Sequence, residues 1–250
     1  MLTIRLGAKL GAALGQIAFG KGLAMERGYR FSCSKLTGIA EHPISQGIDI
    51  FGPRLWIDGQ WPRYAHTGRN LTQTELKTPP EACVVLAGEF QRFDLIAEVR
   101  EKVREDWLRL ENPLSVRAAG DLLMAVREGE QVMDEAEIRA LAAKAQGRVH
   151  LLTDDDADPL MLVLRDLGAE WHVANGMEAL RLAHSFQRIA FCQSALYWWG
   201  AFLGAGREIY YPKIAKGHWS HPAPAKFAWE PSHYGIDLRV PDEERWIYDW

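Results

Sequence analysis

After residue 112 the sequence alternates between short apolar runs and stretches with helical periodicity, and this alternation constrains the fold more than any other feature. The runs PLSVR (113–117), GRVHLLT (147–153), EWHVA (170–174), RIAFC (188–192) and REIYY (207–211) read as strands. Between and after them, 134–146, 157–168, 177–186 and 195–204 read as helices. Apolar strands linked by helices bury both faces of the sheet they build, which predicts a doubly wound parallel sheet of five strands. Right-handed crossovers then place every strand C-terminus on one rim, where such sheets bind ligands.

The first half is less regular. LTIRL (2–6) reads as a strand, followed by a glycine loop and a helix over 13–27, the opening of a second α/β unit. Arg5, Lys9 and Lys21 precede any acid, as in a targeting segment, but Gly11, Gly15, Gly20, Gly22 and Gln16 interrupt any apolar core such a segment would need. Residues 29–83 open on a short strand, YRFSC, and are otherwise loop-rich. Over 88–111, Leu95, Val99, Val103, Trp107 and Leu110 fall on one face of an amphipathic helix. A domain boundary is expected near 112, giving domains 1–112 and 113–250, the second ending in an irregular aromatic tail that packs back on the body.

Composition excludes some classes of function. With 29 basic and 33 acidic residues the formal charge is −4, too acidic for a general duplex binder, so no nucleic-acid partner is expected. Cys33, Cys83 and Cys192 have no metal or disulfide spacing, which points to a reducing, cytoplasmic setting. No stretch reaches 18 uninterrupted apolar residues. Five of the ten tryptophans lie between 198 and 246, where they serve either core packing or sugar and base stacking.

The polar residues at the expected strand ends come next. Arg117, followed by the small-residue turn 118–120 and Asp121, offers a guanidinium able to fork two hydrogen bonds onto a phosphate. Asp154, Asp155 and Asp156 follow HLLT and read either as acceptors for hydroxyls and base nitrogens or as a solvated helix N-terminus. Gln193 and Ser194 open the helix ALYWWGAFL, where Ser194 suits an anion, a plain N-cap, or both. Arg117 and Ser194 together suggest a diphosphate site.

FCQSALYWWGAFLGAGREIYYPK (191–213) resembles the segment of bacterial α-1,2-fucosyltransferases, glycosyltransferase family 11, that runs Asn-Ser-Ser-Phe-Ser-Trp-Trp-Gly-Ala-Trp-Leu and ends in Ala-Pro-Lys. Ser194, Trp198, Trp199, Gly200, Ala201, Leu203, Pro212 and Lys213 keep the pattern. Three more segments are similar in order and spacing: KLGAALGQIAFGKGLA (9–24), LAGEFQRFDLI (86–96) and VHLLTDD (149–155).

The resemblance implies a GT-B fold, two Rossmann-like halves facing a cleft, with 1–112 on the acceptor side and 113–250 binding the nucleotide sugar. It implies an inverting transfer of fucose from GDP-fucose to a glycan hydroxyl, with no metal and no cofactor beyond the donor. The acceptor would be an oligosaccharide or a lipid-linked glycan met at a membrane surface. Arg117 would match the first arginine of the family's His-x-Arg-Arg-Gly-Asp motif and stabilise the leaving GDP, and Ser194 would share the β-phosphate. Asp121 would act as general base or orient Arg117. Glu178 stands where related enzymes carry a carboxylate that reads guanine, although a first-turn glutamate also suits the helix dipole. Gln193, Asp154 and Gly11 of the opening loop would complete the donor site.

The departures from the family pattern are equally specific. Ser115 replaces the motif histidine, Ala118 its second arginine, a residue is inserted before Gly120, and Ala12 and Ala13 replace an Asn-Gln pair. Each loses a polar contact, so a silent or altered-donor binder is the alternative. His218, His221 and His233 lack the glutamate and helix of a metalloprotease site, and the spacing of Gly7, Gly11 and Gly15 is not a dinucleotide fingerprint. Cys192 reads as a small core residue rather than a nucleophile.

Overall fold

The computed structural model describes residues 2–4, 6, 9–27, 31–33, 36–39, 54–55, 83–86, 93, 96–212, 238–240 and 242–250. Much of 86–95, together with Leu95, Lys213, His218, His221 and His233, lies outside the described residues. The chain divides into two compact units, Met1–Glu111 with Ala215–Arg239, and Asn112–Ile214 with Val240–Trp250.

The first unit holds four parallel strands in the order β2, β1, β4, β3: β1 Leu2–Ile4, β2 Phe31–Cys33, β3 Arg54–Leu55 and β4 Cys83–Leu86. Helix α1 is Leu10–Arg27, so it begins about a turn before the expected start and takes Gly11 of the expected glycine loop into its body. Its alanines and glycines leave little bulk, and Gly11 through Lys21 are all buried. Lys21 lies 5.8 Å over the Trp107 ring, and burial pushes its pKa down against the opposing charges of Cys33 and Asp106. The expected amphipathic helix is described from Ala97, running through a 3-10 turn and a helical turn into a π-turn at Val103–Trp107 that turns Val103 and Trp107 inward.

The second unit is a six-stranded, all-parallel sheet. Its strands are β5 Leu122–Ala125, β8 Val149–Thr153, β9 Glu170–Val173, β10 Arg188–Phe191, β11 Glu208–Tyr210 and β12 Trp246–Ile247. The order across the sheet is β12, β11, β10, β5, β8, β9. From β5 the chain builds outward to β8 and β9, then returns to the other side of β5 for β10, β11 and β12. This is the doubly wound arrangement, with the switch point between β5 and β10. A hairpin, β6 Arg127–Glu128 with β7 Gln131–Val132, extends β5 beyond the sheet. Helices α2 Glu135–Ala142, α3 Leu160–Val163, α4 Gly176–Ser185 and α5 Ala195–Leu203 connect the strands.

Two expectations are corrected. PLSVR is not a strand: 113–117 pairs with no strand, with Leu114 and Val116 at 43% and 56% exposure, and the central strand is LLMA, eight to nine residues further on. Flanked by β8 and β10, LLMA is buried on both faces and so reads as an unbroken apolar run rather than an alternation. The sheet also has six strands rather than five, because Trp246–Ile247 from the aromatic tail pairs with β11.

The core between α4, α5 and the sheet is aromatic. Trp198 and Trp199 are 0% and 1% exposed, and Trp198 stacks on Phe202 and Trp246 at centroid distances of 4.7 and 5.7 Å. A Cβ on Gly200 would lie 2.5 Å from the Ala183 Cβ, so only glycine lets α5 approach α4 this closely. The double-tryptophan stretch is therefore a packing joint rather than a stacking platform.

Candidate functional site

Parallel strands put their C-termini on one rim, and here that rim gathers chemistry from four strand ends. Beyond β5, Val126 leads into the hairpin that carries Arg127. Gly129 opens its two-residue turn at φ +58°, a conformation that favours glycine. Beyond β8 come Asp154, Asp155 and Asp156. Beyond β9, Asn175 and Gly176 begin α4, and Gly176 again has positive φ, +50°. Beyond β10, Gln193 and Ser194 begin α5.

The anchor is an ion pair. Arg127 donates from Nε to Asp158 Oδ2 at 2.7 Å and from Nη2 to Oδ1 at 3.0 Å, a two-pronged fork. The Asp158 side chain is fully buried, and that of Arg127 is 18% exposed. Asp158 also accepts from the Leu160 N–H and from the buried Thr153 hydroxyl, at 3.0 and 2.9 Å. Burial alone would raise the Asp158 pKa, but the Arg127 fork, the Leu160 amide and the Thr153 hydroxyl outweigh it and hold the carboxyl below its ordinary range. The same hydrogen bonds raise the Arg127 pKa. The remaining terminal nitrogen, Nη1, makes only a long 3.5 Å contact to the Gly129 carbonyl. Two further bonds fix the hairpin: the Gly129 N–H donates to Asp154 Oδ2 at 2.6 Å, and the Tyr197 hydroxyl of α5 donates to the Arg127 carbonyl at 2.7 Å.

These groups border a cleft of about 450 Å³ lined by Arg127 and Gly129, Asp154, Asp155 and Asp156, and Val173 and Asn175. Asn175 precedes α4 without its side chain capping the helix. The cleft therefore offers a fixed guanidinium, helix-terminal N–H groups and a row of carboxylate acceptors, a set able to hold a ligand with an anionic part and a hydrogen-bond-donating part.

The residues singled out in the sequence are not brought together as one group. Asp154 lines the cleft. Glu178 is on the same rim, exposed in the first turn of α4, and is not part of the lining. Ser194 is 1% exposed, and its hydroxyl oxygen accepts from the Tyr197 N–H at 3.1 Å as a helix cap, with half-buried Gln193 beside it. Gly11 belongs to α1 of the other unit. Cys192 is buried, and burial pushes its thiol pKa far up, consistent with a core residue.

Arg117 and Asp121 precede β5, so they lie at the opposite, N-terminal edge of the sheet. Arg117 is exposed, with its guanidinium 5.8 Å over the Phe186 ring and its N–H donating to the Ser185 carbonyl. Asp121 Oδ1 accepts from the Arg148 N–H at 3.0 Å and ties the loops that lead into β5 and β8. The cause is the shifted strand: with β5 at 122–125, the arginine beyond its C-terminus is Arg127. A signal for this was present. Ala125-Val126-Arg127-Glu128-Gly129-Glu130 keeps the spacing of His-x-Arg-Arg-Gly-Asp with no insertion, retaining the first arginine and the glycine.

No family model and no curated protein matches the chain by sequence. Among solved structures, it is similar to a variant of Arabidopsis thaliana FUT1 in complex with GDP, at TM-score 0.50 and 10% identity over 85% of this chain and 71% of that one. It is also similar to TibC, an iron-containing dodecameric glycosyltransferase of enterotoxigenic E. coli, at TM-score 0.47 and 14% identity over 97% and 69%. A third likeness is to the E. coli heptosyltransferase WaaC with ADP, at TM-score 0.39 and 12% identity over 84% and 86%. The likeness to FUT1 is one of fold, and the two parallel α/β units are those of the GT-B class expected from the sequence. Among the described residues no helix is long and apolar enough to cross a membrane.

Proposed function

We propose that the chain is an inverting glycosyltransferase that takes a nucleotide-activated sugar at the C-terminal rim, with GDP-fucose as donor and a glycan hydroxyl as acceptor. The observation that supports this most is the Arg127–Asp158–Thr153 network. It holds a guanidinium rigidly beside a glycine turn at the end of the central strand. As the sugar departs, negative charge grows on the diphosphate, and a donor fixed in advance stabilises that charge without reorganising. Nη1 of Arg127 and the N–H groups opening α4 and α5 would meet the diphosphate oxygens, a task that passes from Arg117 to Arg127. Asp155 and Asp156 would accept from ribose hydroxyls, and Glu178 from the N–H edge of guanine.

A second reading is favoured by the charge of the cleft. Three aspartates line it against one arginine, and that arginine is already paired with Asp158. This balance opposes a diphosphate and fits a silent or altered-donor binder.

Calorimetric titration of GDP, UDP and ADP, with donor turnover against a glycan panel, separates the two. Fucosyl transfer with GDP bound most tightly supports the first, and nucleotide binding without turnover of any donor supports the second. Glu178→Ala is expected to weaken GDP by roughly 1–3 kcal/mol, the scale of hydrogen bonds lost to a charged acceptor, while sparing ADP. Equal weakening of all three nucleotides would remove the guanine assignment.

A further inference from the structure

We propose that His150, Glu170 and His172 form a binding site for one divalent cation of the zinc class, at the sheet edge opposite the rim. His150 is on β8 and the other two on β9. Glu170 and His172 are two residues apart and so project from one face, and Glu170 is the register partner of His150.

Three ligand atoms of types that zinc takes lie close together. His150 Nδ1 is 3.0 Å from His172 Nε2, and each of these nitrogens is 3.6 Å from a Glu170 carboxylate oxygen. Zinc bonded to nitrogen at 2.0–2.1 Å in a tetrahedron separates its ligand atoms by about 3.3–3.4 Å. The nitrogen pair is slightly inside that edge, and each Glu170 oxygen is slightly outside it from a different imidazole. One ligand atom from each residue can be chosen with all three within 4.8 Å of one another. Without metal the two imidazoles meet nitrogen to nitrogen, their planes 20° apart and their centroids 5.3 Å apart, and share one N–H···N bond. A metal replaces that bond after a small tilt of each ring.

A second, independent feature is the outer face of His150. Its Nε2 is buried and has no hydrogen-bond partner, yet it faces Asp121 Oδ2 at 3.8 Å. A metal on Nδ1 puts the ring proton on Nε2, directed at that carboxylate, the arrangement in which an outer carboxylate orients a ligating histidine. Phe186 packs edge-on against the same ring at 4.9 Å and walls off the inner side. The Glu170 side chain is 49% exposed, which leaves the fourth position open to solvent.

The test uses the full chain, stripped with a chelator and titrated with Zn²⁺ against a chromophoric competitor. Co²⁺ absorption serves as the readout of coordination geometry. The expected result is one ion per chain with affinity on the order of micromolar or tighter and the intense visible bands of four-coordinate Co²⁺. Glu170→Gln and His172→Gln should each weaken binding by at least about a hundredfold, and Asp121→Asn by about tenfold. The fold of each variant is checked by circular dichroism, and the half-exposed Glu170 gives a variant that does not disturb the core. Replacing His218, His221 and His233 together by alanine should change nothing. Absence of binding, binding indifferent to Glu170→Gln and His172→Gln, or binding lost in the triple variant would each overturn the site.

Discussion

The two ends of the second sheet each carry an arginine paired with a carboxylate, and the difference between the pairs indicates which arginine can serve a ligand. At the N-terminal edge, Arg188 donates to Glu208 at 2.7 Å, to the Tyr210 hydroxyl and the Lys144 carbonyl at 3.1 Å, and reaches the Gly120 carbonyl at 3.5 Å. That guanidinium is only 5% exposed and clamps loops that also meet through Asp121 and through Gly147, whose N–H donates to the Gly120 carbonyl. At the rim, Arg127 commits Nε and Nη2 to Asp158 and leaves Nη1 with one long contact beside the cleft. Both Nη1 atoms have a single 3.5 Å carbonyl contact, so the difference is one of place: the first guanidinium is sealed among the loops it joins, and the second, 18% exposed, lines the cleft.

The sharpest way to break this contrast is Arg127→Ala. It strands the fully buried Asp158 carboxylate, so the expected loss is about 3–5 kcal/mol of stability in denaturant melts. Arg127→Lys keeps a charge but not the fork, and should lower kcat/KM for sugar transfer by at least roughly a hundredfold. Arg188→Ala should cost less, about 1.5–3 kcal/mol, because the 40%-exposed Glu208 left behind can hydrate. The transfer rate per folded molecule should not change, and a loss of turnover in folded Arg188→Ala would refute the division of labour.

Acid should separate the ends in sequence. His184, near the end of α4, has its pKa lowered by burial, so its neutral form contributes stability that is present above about pH 6.5 and falls as the pH drops through its folded-state value. Asp158 also has a lowered pKa, so its contribution persists until the pH falls below about 3.9. Melts from pH 8 to pH 3 should show the histidine loss first, and His184→Leu should reduce the slope just below pH 6.5 without touching the later step. The smallest effect expected is that of Arg117→Ala. It removes one exposed cation–π contact, worth no more than about 1 kcal/mol, and should leave transfer intact. Turnover that collapses in Arg117→Ala and survives in Arg127→Lys would reverse the assignment of the ends.

Legibility of the fold in the sequence followed how local each signal was. β8, β9 and β10 were readable because VHLLT, EWHV and RIAF are bounded by turns and followed by helical periodicity. β5 was misplaced because PLSVR has the alternation of a strand and LLMA does not, and only a neighbour on each side explains the latter. That shift displaces only the β5 end of the rim, where Arg127 rather than Arg117 follows the strand. Asp158, 31 residues from Arg127, and β12, only two residues long, depend on pairings that no local pattern announces. Glu178, Asp154 and Ser194 lie at the C-terminal ends of the strands as the sequence reading places them, because each follows a strand that is legible locally.

The joint made by Trp198, Trp199 and Gly200 carries a consequence for descent. A closely packed hinge of indole against helix is under selection for as long as the body must stay folded, whether or not any sugar is ever moved. A lineage that abandoned its chemistry would lose the rim first and the joint last. Likeness in WWGA therefore speaks for the architecture alone, and whatever the rim does has to be read from the rim.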